Sequence, residues 1–154
     1  MNGVSKLVAF RLERRSVAAA VFLGTQLDYA DVRQLSSIHE KAEASVTGFV
    51  NWMISSFGIT SAAIEEFENG KEMLRSRLNR TIEETLRSAG ASLYKVEKGH
   101  LLNSYGYPPL PGRRNVREVV TTIWPILDVR QISPAKLDAI ALGLYVQTER
   151  LFQH

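Results

Sequence analysis

The first third of the chain alternates between apolar and polar positions in a way that indicates three strands. In residues 4–13 (VSKLVAFRLE), one face carries Val8, Phe10 and Leu12, and the other carries Ala9, Arg11 and Glu13. Residues 17–23 (VAAAVFL) are apolar throughout, which indicates burial on both sides, whereas residues 26–35 carry the polar and charged side chains of an edge strand. Because the connections are short, the pattern predicts an antiparallel meander.

The middle of the chain changes to helical spacing. Apolar residues recur every three or four positions over 42–57 and again over 74–89, and each stretch is followed by a glycine, as helix ends often are. Ser37 and Glu40 predict a capping box at the start of the first helix.

A short apolar run that ends in two carboxylates, residues 59–67 (ITSAAIEEF), separates these two helices. We expect it to form a central strand with Glu65 and Glu66 on opposite faces at its end, Glu66 being the more solvated. A fifth strand is predicted over residues 91–96, and Ser133 with Pro134 begins a last helix.

The residues between the fifth strand and the last helix are less regular. Residues 98–112 contain three prolines and three glycines and are predicted to form a loop, and a short helix is predicted over 115–124. Strands that are separated by helices run parallel, through right-handed crossovers. The predicted fold class is therefore α/β, with a five-stranded mixed sheet (three antiparallel strands, then two parallel) that is flanked by helices.

Bulk properties limit the classes of protein that need to be considered. The 154 residues suit a single domain, and 45% hydrophobic with 23% charged residues is typical of a soluble globular protein. The net charge of +3 permits a polyanionic partner without requiring one. There is no cysteine, which excludes disulfides, thiolate catalysis and cysteine-based zinc sites. With no signal peptide or membrane span in the pattern, we expect a cytoplasmic protein.

Two segments resemble those of a known family. Residues 62–67 (AAIEEF) and 138–146 (DAIALGLYV), together with the element order, are similar to the RuvC-type Holliday-junction resolvases of the RNase H-like fold. In that family a Glu ends the fourth strand and an Asp opens the last helix, and these positions match Glu65 and Asp138. The resemblance implies phosphodiester hydrolysis by two Mg²⁺ or Mn²⁺ ions that carboxylates hold around the scissile phosphate.

The chain departs from that family at two of four acidic positions. Arg11 stands where the first-strand Asp that bridges both metals is expected, and Ala135 stands where a further acid precedes Asp138. A guanidinium repels the cations that the missing carboxylate would attract. Arg11 is thus expected to form an ion pair with Glu65, and Glu13 is the alternative substitute ligand.

Each acid also has a structural explanation. Glu65 is either a metal ligand, or the relic of one, or an acid at a strand end in contact with solvent. Asp138, placed in the first turn of its helix, would stabilise the helix dipole even without a metal.

A basic cluster adjoins the irregular loop. Lys98 and His100 lie at its start, close in sequence to two tyrosines, and Arg113, Arg114 and Arg117 follow it. Stacking on aromatic rings together with phosphate contacts uses such a set, although a solvated helix start would carry the same charges.

Three functions remain open from the sequence. The first is a RuvC-like protein that binds branched or single-stranded DNA, or RNA, with an impaired or altered nuclease site and no cofactor. The second is a structural or protein-interaction module on the same fold. The third is an active Mg²⁺- or Mn²⁺-dependent nuclease with rearranged ligands. The sequence leaves open whether the chain is a monomer or a homodimer.

Overall fold

The computed structural model describes residues 6–24, 26–66, 73–97 and 133–151. The predicted helix over 115–124 and the loop over 98–112 lie outside these residues. The described elements, in chain order, are β1 (Lys6–Leu12), β2 (Ser16–Leu23), β3 (Gln26–Gln34), α1 (His39–Phe57), β4 (Ser61–Glu66), α2 (Met73–Ser88), β5 (Ser92–Glu97) and α3 (Pro134–Leu151).

The five strands form one mixed sheet in the order β3-β2-β1-β4-β5. β2 runs antiparallel to both β1 and β3, whereas β1 and β4, and β4 and β5, run parallel. The predicted fold class is confirmed, with β3 at one edge and β4 in the interior of the sheet. β1 and β4 meet in the centre, with Phe10 level with Ile64.

The sheet is covered on both faces because the strand side chains alternate between two cores. One core lies beneath α1 and α2 and contains the larger side chains of the strands, such as Phe10 and Ile64. The other lies beneath α3 and contains many small ones, such as Ala9 and Ala63. Burial on both faces explains why β2, whose central residues have no exposed surface, is an unbroken apolar run in the sequence.

Helix α3 packs closely on the sheet because a glycine faces a buried aromatic ring. A methyl group added to Gly143 would lie 2.2 Å from Cε2 of Phe22, whose side chain is fully buried. The side chain of Gln147, also buried, donates a hydrogen bond of 2.8 Å to the carbonyl oxygen of Gly24 in the β2–β3 turn. These two contacts hold the helix against one end of the sheet.

The helix ends differ in part from the sequence expectation. Gly58 ends α1 in the left-handed conformation (φ 63°), and its N–H bonds to the carbonyl oxygen of Ile54, as predicted. The prediction of a capping box formed by Ser37 and Glu40 is wrong. α1 begins at His39 after Ile38, no side chain caps it, and the Ser36 hydroxyl accepts a hydrogen bond from the Ile38 N–H instead. None of the helices in the described ranges is long and apolar enough to cross a membrane.

Candidate functional site

The ends of β1 and β4 bring two predicted site residues together. Phe10 and Ile64 are register partners in this parallel pair, so the residues that follow them, Arg11 and Glu65, are level in adjacent strands. Two residues earlier on each strand, alanines belong to the core beneath α3. Because side chains two residues apart share a face, Arg11 and Glu65 both lie on the α3 side of the sheet.

Arg11 and Glu65 form an ion pair at this position. Nη1 of Arg11 donates a hydrogen bond to Oε1 of Glu65, and Nε of Arg11 lies 3.6 Å from Oε1 of Glu13. The Glu65 side chain is 6% exposed, that of Arg11 15% and that of Glu13 23%. The guanidinium thus lies between two carboxylates in a largely dry environment, where charges interact more strongly than they do in water.

A second interaction fixes the end of β4. Nδ2 of Asn79, on α2, donates a hydrogen bond of 3.0 Å to the backbone carbonyl oxygen of Glu65. The strand end is therefore held from the opposite face as well, which restricts the position of the Glu65 carboxylate. No sequence pattern indicates this contact, because it joins a helix and a strand end through a backbone group. Glu66 is exposed, as predicted.

Asp138 lies on α3, on the same side of the sheet as Glu65. Its neighbours Leu137 and Ala139 share the core beneath α3 with Ala63 of β4, and Asp138 itself is partly buried. Its predicted place in the first turn is wrong, because the helix begins at Pro134 and contains no acid in that turn.

The start of α3 otherwise follows the sequence. The Ser133 hydroxyl accepts a hydrogen bond of 3.2 Å from the N–H of Lys136, as a cap residue does. Ala135, which stands at the position of a further expected acid, is buried and presents only a methyl group.

The side chains at this site do not fit a pair of divalent cations. Mg²⁺ requires several oxygen ligands, and two-metal sites use carboxylates on both sides of the substrate phosphate. Here the Glu65 carboxylate accepts a hydrogen bond from Arg11, Glu13 lies beside the same guanidinium, and Ala135 offers no oxygen. Within the described ranges, no three His, Cys, Asp or Glu side chains converge in the arrangement of a metal site.

The predicted basic cluster stays a prediction. Lys98, His100, Arg113, Arg114 and Arg117 all lie outside the described residues.

The structure also contains a surface feature that the sequence did not reveal. The guanidinium of Arg33, on β3, lies 5.1 Å from the ring centroid of Phe49 and 5.5 Å from that of Trp52, both on α1. These residues line an open groove of about 480 Å³ together with Gln34, Ser45 and Gly48. The sequence contains one indication of such a surface, because α1 carries no charged residue from position 44 to its end.

The sheet order and the helices on both faces are those of the RNase H-like fold in the form found in Holliday-junction resolvases. The similar solved structures include Thermus thermophilus RuvC in complex with a Holliday junction substrate, with a TM-score of 0.78 at 13% identity over 96% of each chain. The yeast mitochondrial resolvase Ydc2 has a TM-score of 0.70 at 8% identity, over 97% of this chain and 82% of its own.

A third similar structure comes from a virus. The fowlpox virus resolvase with Holliday junction DNA has a TM-score of 0.60 at 14% identity, over 96% of this chain and 99% of its own. No family model matches the sequence, and no curated protein sequence matches it. The likeness is therefore one of fold, because the sequences of this chain and these resolvases are only 8–14% identical.

Proposed function

We propose that the chain is a RuvC-like nucleic-acid-binding protein whose nuclease site is impaired. The Arg11–Glu65 ion pair carries the proposal, because it occupies the place where the resembled family gathers carboxylates around metal ions. A carboxylate that is bonded to a guanidinium is less available to a cation, and the positive charge of Arg11 opposes cation binding directly.

The fold supports nucleic acid as the partner. The RuvC of Thermus thermophilus and the fowlpox virus resolvase were both solved with Holliday junction DNA. The likeness of fold extends over 96% of this chain in both cases, which supports a nucleic-acid partner. Branched DNA is therefore the first ligand to test, with single-stranded DNA and RNA next.

We assign the phosphate contacts to the basic residues between β5 and α3. Lys98 and His100 precede two tyrosines, and three arginines follow at positions 113, 114 and 117. Cations that neutralise phosphates release counterions, so the affinity is expected to fall steeply as salt is added. The contacts are with the backbone of the nucleic acid, which makes the binding insensitive to base sequence.

The test is binding of the full chain to a labelled four-way junction at several salt concentrations. The double variant Arg113→Glu/Arg114→Glu is expected to bind all sequences more weakly and with a smaller salt slope. The matched control is Arg14→Glu/Arg15→Glu, which makes the same charge change in the exposed β1–β2 turn and is expected to bind as the wild type does. Absence of binding at low salt would contradict the proposal.

Cleavage of the same junction in Mn²⁺ tests the second half of the proposal. We expect negligible cleavage by the wild-type protein. Cleavage that Glu65→Gln abolishes would instead identify an active nuclease with rearranged ligands, and Glu13, which lies beside Arg11, would be its third acid.

One observation favours the interaction module as the second candidate. Trp52 is 42% exposed at a groove that no sequence argument connects with catalysis. Large exposed aromatic residues beside a concave surface are typical of protein-binding sites. If the chain binds no nucleic acid at low salt but binds another protein through this groove, its function is that of an interaction module.

A further inference from the structure

The groove between β3 and α1 combines aromatic surface with a few polar groups. Phe49 and Trp52 form its apolar wall, and Trp52 is 42% exposed. Among the described residues that line the groove, Arg33 alone carries a charge. An apolar wall with a small number of polar groups is typical of a site that binds a ligand in one orientation.

Asp31 holds the guanidinium of Arg33 by one of its three nitrogens. Oδ2 of Asp31 lies 3.3 Å from Nε of Arg33, and the guanidinium carbon lies over the rings of Phe49 and Trp52. Within the described ranges, neither Nη atom of Arg33 donates a hydrogen bond to the protein. These remaining donors form a planar fork, which matches the two oxygens of a carboxylate.

The α1 side of the groove adds a second cation. One stripe of the helix borders the groove, and its residues recur every three or four positions: Lys41, Ser45, Gly48 and Trp52. Lys41 is exposed at the start of this stripe, whereas Glu40 and Glu43 lie off it. A ligand in the groove therefore meets the positive charges of Arg33 and Lys41, and its complementary group is an anion.

The backbone of β3 favours a peptide over a nucleic acid. The N–H of Leu35 bonds to the carbonyl oxygen of Arg15 on the β2 side. Because backbone groups alternate in direction along an antiparallel strand, those of Val32 and Gln34 point away from β2. Oδ1 of Asp31 already accepts the Val32 N–H at 2.8 Å, so the groups of Gln34, at the groove itself, remain for a ligand. A peptide backbone can pair with both of them, whereas a nucleic-acid backbone has no N–H to donate.

We infer that this groove binds an extended acidic peptide segment of a partner protein. A carboxylate of the segment accepts hydrogen bonds from both Nη atoms of Arg33, and an apolar side chain lies over Gly48 against Trp52. Because the guanidinium carbon of Arg33 is 5.5 Å from the ring centroid of Trp52, the acid and the apolar residue are close neighbours in the partner's sequence. The inference rests on the second candidate function and names its partner, and it does not require binding of nucleic acid.

The experiment selects peptides from a random library on the immobilised full chain and measures the affinity of the enriched peptides by fluorescence anisotropy. We expect enrichment of Asp or Glu beside an aromatic or aliphatic residue. A purely structural role of Arg33, in which it only covers the aromatic rings, predicts no such enrichment. A library that yields no acidic peptides would therefore overturn the inference.

Two variants test whether the enriched peptides occupy the groove. Arg33→Gln removes the charge, and Gly48→Leu fills the groove at a position where an added Cβ meets no atom within 4 Å. Each should raise the Kd of the peptide at least about tenfold. The matched controls are Arg80→Gln on α2 and Asn51→Leu on α1, which make like changes at exposed positions outside the groove and should bind as the wild type does. Equal affinities of the wild type and both groove variants would overturn the inference.

An exchange of charges gives the decisive result. Arg33→Glu should lose affinity for the selected peptide and gain affinity for a version of it in which lysine replaces each acid. Misfolding of the variant could not produce this gain. Failure of the lysine peptide to bind Arg33→Glu better than it binds the wild type would contradict the inferred contact.

The same variants identify other occupants of the groove. Affinity for the labelled four-way junction should be the same in Arg33→Gln and Gly48→Leu as in their controls. A junction affinity that falls in both groove variants would make the groove a nucleic-acid contact, and self-association that Gly48→Leu abolishes would identify a second copy of the chain; either result would overturn the inference. A chain that binds acidic peptides but no junction would support it and contradict only the nucleic-acid proposal.

Discussion

The guanidinium of Arg11 donates a hydrogen bond to the carboxylate of Glu65, which lies 54 residues later in the chain but on the adjacent central strand. This contact joins the two strands at the position where the resemblance implies a metal ligand. Under the proposed function, a metal ion and the Arg11 guanidinium would compete for the same carboxylate. The first two predictions concern this competition and the stability of the pair.

Replacing Arg11 by aspartate should increase the affinity for Mn²⁺. At an effective dielectric constant of about 20, a unit charge ~4 Å away contributes on the order of 4 kcal/mol, and a divalent ion experiences proportionally more. Calorimetric titration of the wild type and of Arg11→Asp with Mn²⁺ measures the difference. Recovery of cleavage is not expected, because Ala135 leaves another ligand missing.

The matched control for this titration is Arg14→Asp, which makes the same change in the exposed turn after β1. It should bind Mn²⁺ no better than the wild type. Equal Mn²⁺ affinities of the wild type and Arg11→Asp would show that Arg11 does not govern cation binding at this site.

Removing Arg11 should destabilise the protein more than removing the charge of Glu65. Arg11→Met leaves a carboxylate that is 6% exposed without its guanidinium, and breaking a buried pair in this way costs about 3–5 kcal/mol. Glu65→Gln leaves Arg11 beside Glu13 at 3.6 Å, so the free energy of unfolding should fall less. Urea denaturation of both variants and of the double variant gives the coupling energy. If the losses of unfolding free energy in the two single variants add up to the loss in the double variant, the interaction between Arg11 and Glu65 does not stabilise the protein.

The two helical glycines at positions 48 and 143 should respond to alanine in opposite ways. Gly143→Ala places a methyl group against the buried ring of Phe22, and overpacking of this kind costs about 1–3 kcal/mol. Gly48→Ala, on α1, meets no atom within 4 Å and should stabilise the protein by about 0.5–1 kcal/mol through helix propensity.

The thermal midpoints of both variants measure this contrast. The combination of Gly143→Ala with Phe22→Leu should recover part of the loss, because the smaller side chain makes room for the methyl group. A Gly143→Ala variant as stable as the wild type would mean that α3 can move away from the sheet.

Glu83 should make stability depend on pH in the acid range. Burial raises the pKa of its carboxyl, but the hydrogen bonds and charges of Lys95 and Arg87 outweigh burial and lower the pKa below the ordinary value of 4.5. Both cations lie 3.0 Å from the carboxylate. A lowered folded-state pKa contributes stability above the ordinary pKa, and this contribution is lost as the pH falls through the folded value.

Glu83→Gln should therefore reduce the slope of stability against pH below about pH 4.5, measured by urea denaturation at a series of pH values. The control is Glu84→Gln, an exposed neighbour on the same helix. Equal slopes for the wild type and Glu83→Gln would contradict the assignment.

Much of the fold could be predicted because it depends on local patterns. The alternation around Arg11 and the apolar run of β2 identified the strands, and the run that ends at Glu65 identified the central one. The ion pair was also predicted, but only through the resemblance, since it depends on the register of two strands that are distant in sequence. The groove at Trp52 was not predicted, because the uncharged second half of α1 does not show that Arg33 of another element lies over its aromatic rings.

Small errors arose where several local solutions compete. Ser36, Ser37 and Ile38 all offered a plausible start for α1, and the hydroxyl that bonded to the backbone was the one the sequence rule did not select. Asp138 was assigned to the wrong turn, although the cap at Ser133 was predicted correctly. For α1, the predicted and observed starts differ by one residue, which is within the variation that helix boundaries usually show.

The central and edge positions in the sheet also imply an order in which the protein opens. Amide hydrogens of β1 and β4, which have neighbouring strands on both sides, should exchange with deuterium only in rare, near-global unfolding events. Those of β3, at the edge, should exchange through smaller and more frequent openings. The Arg11–Glu65 pair lies on the slowly exchanging strands, so fluctuations that release the edge would leave it intact. Opening of the sheet at β3 is therefore expected to leave the charged residues at its centre in place.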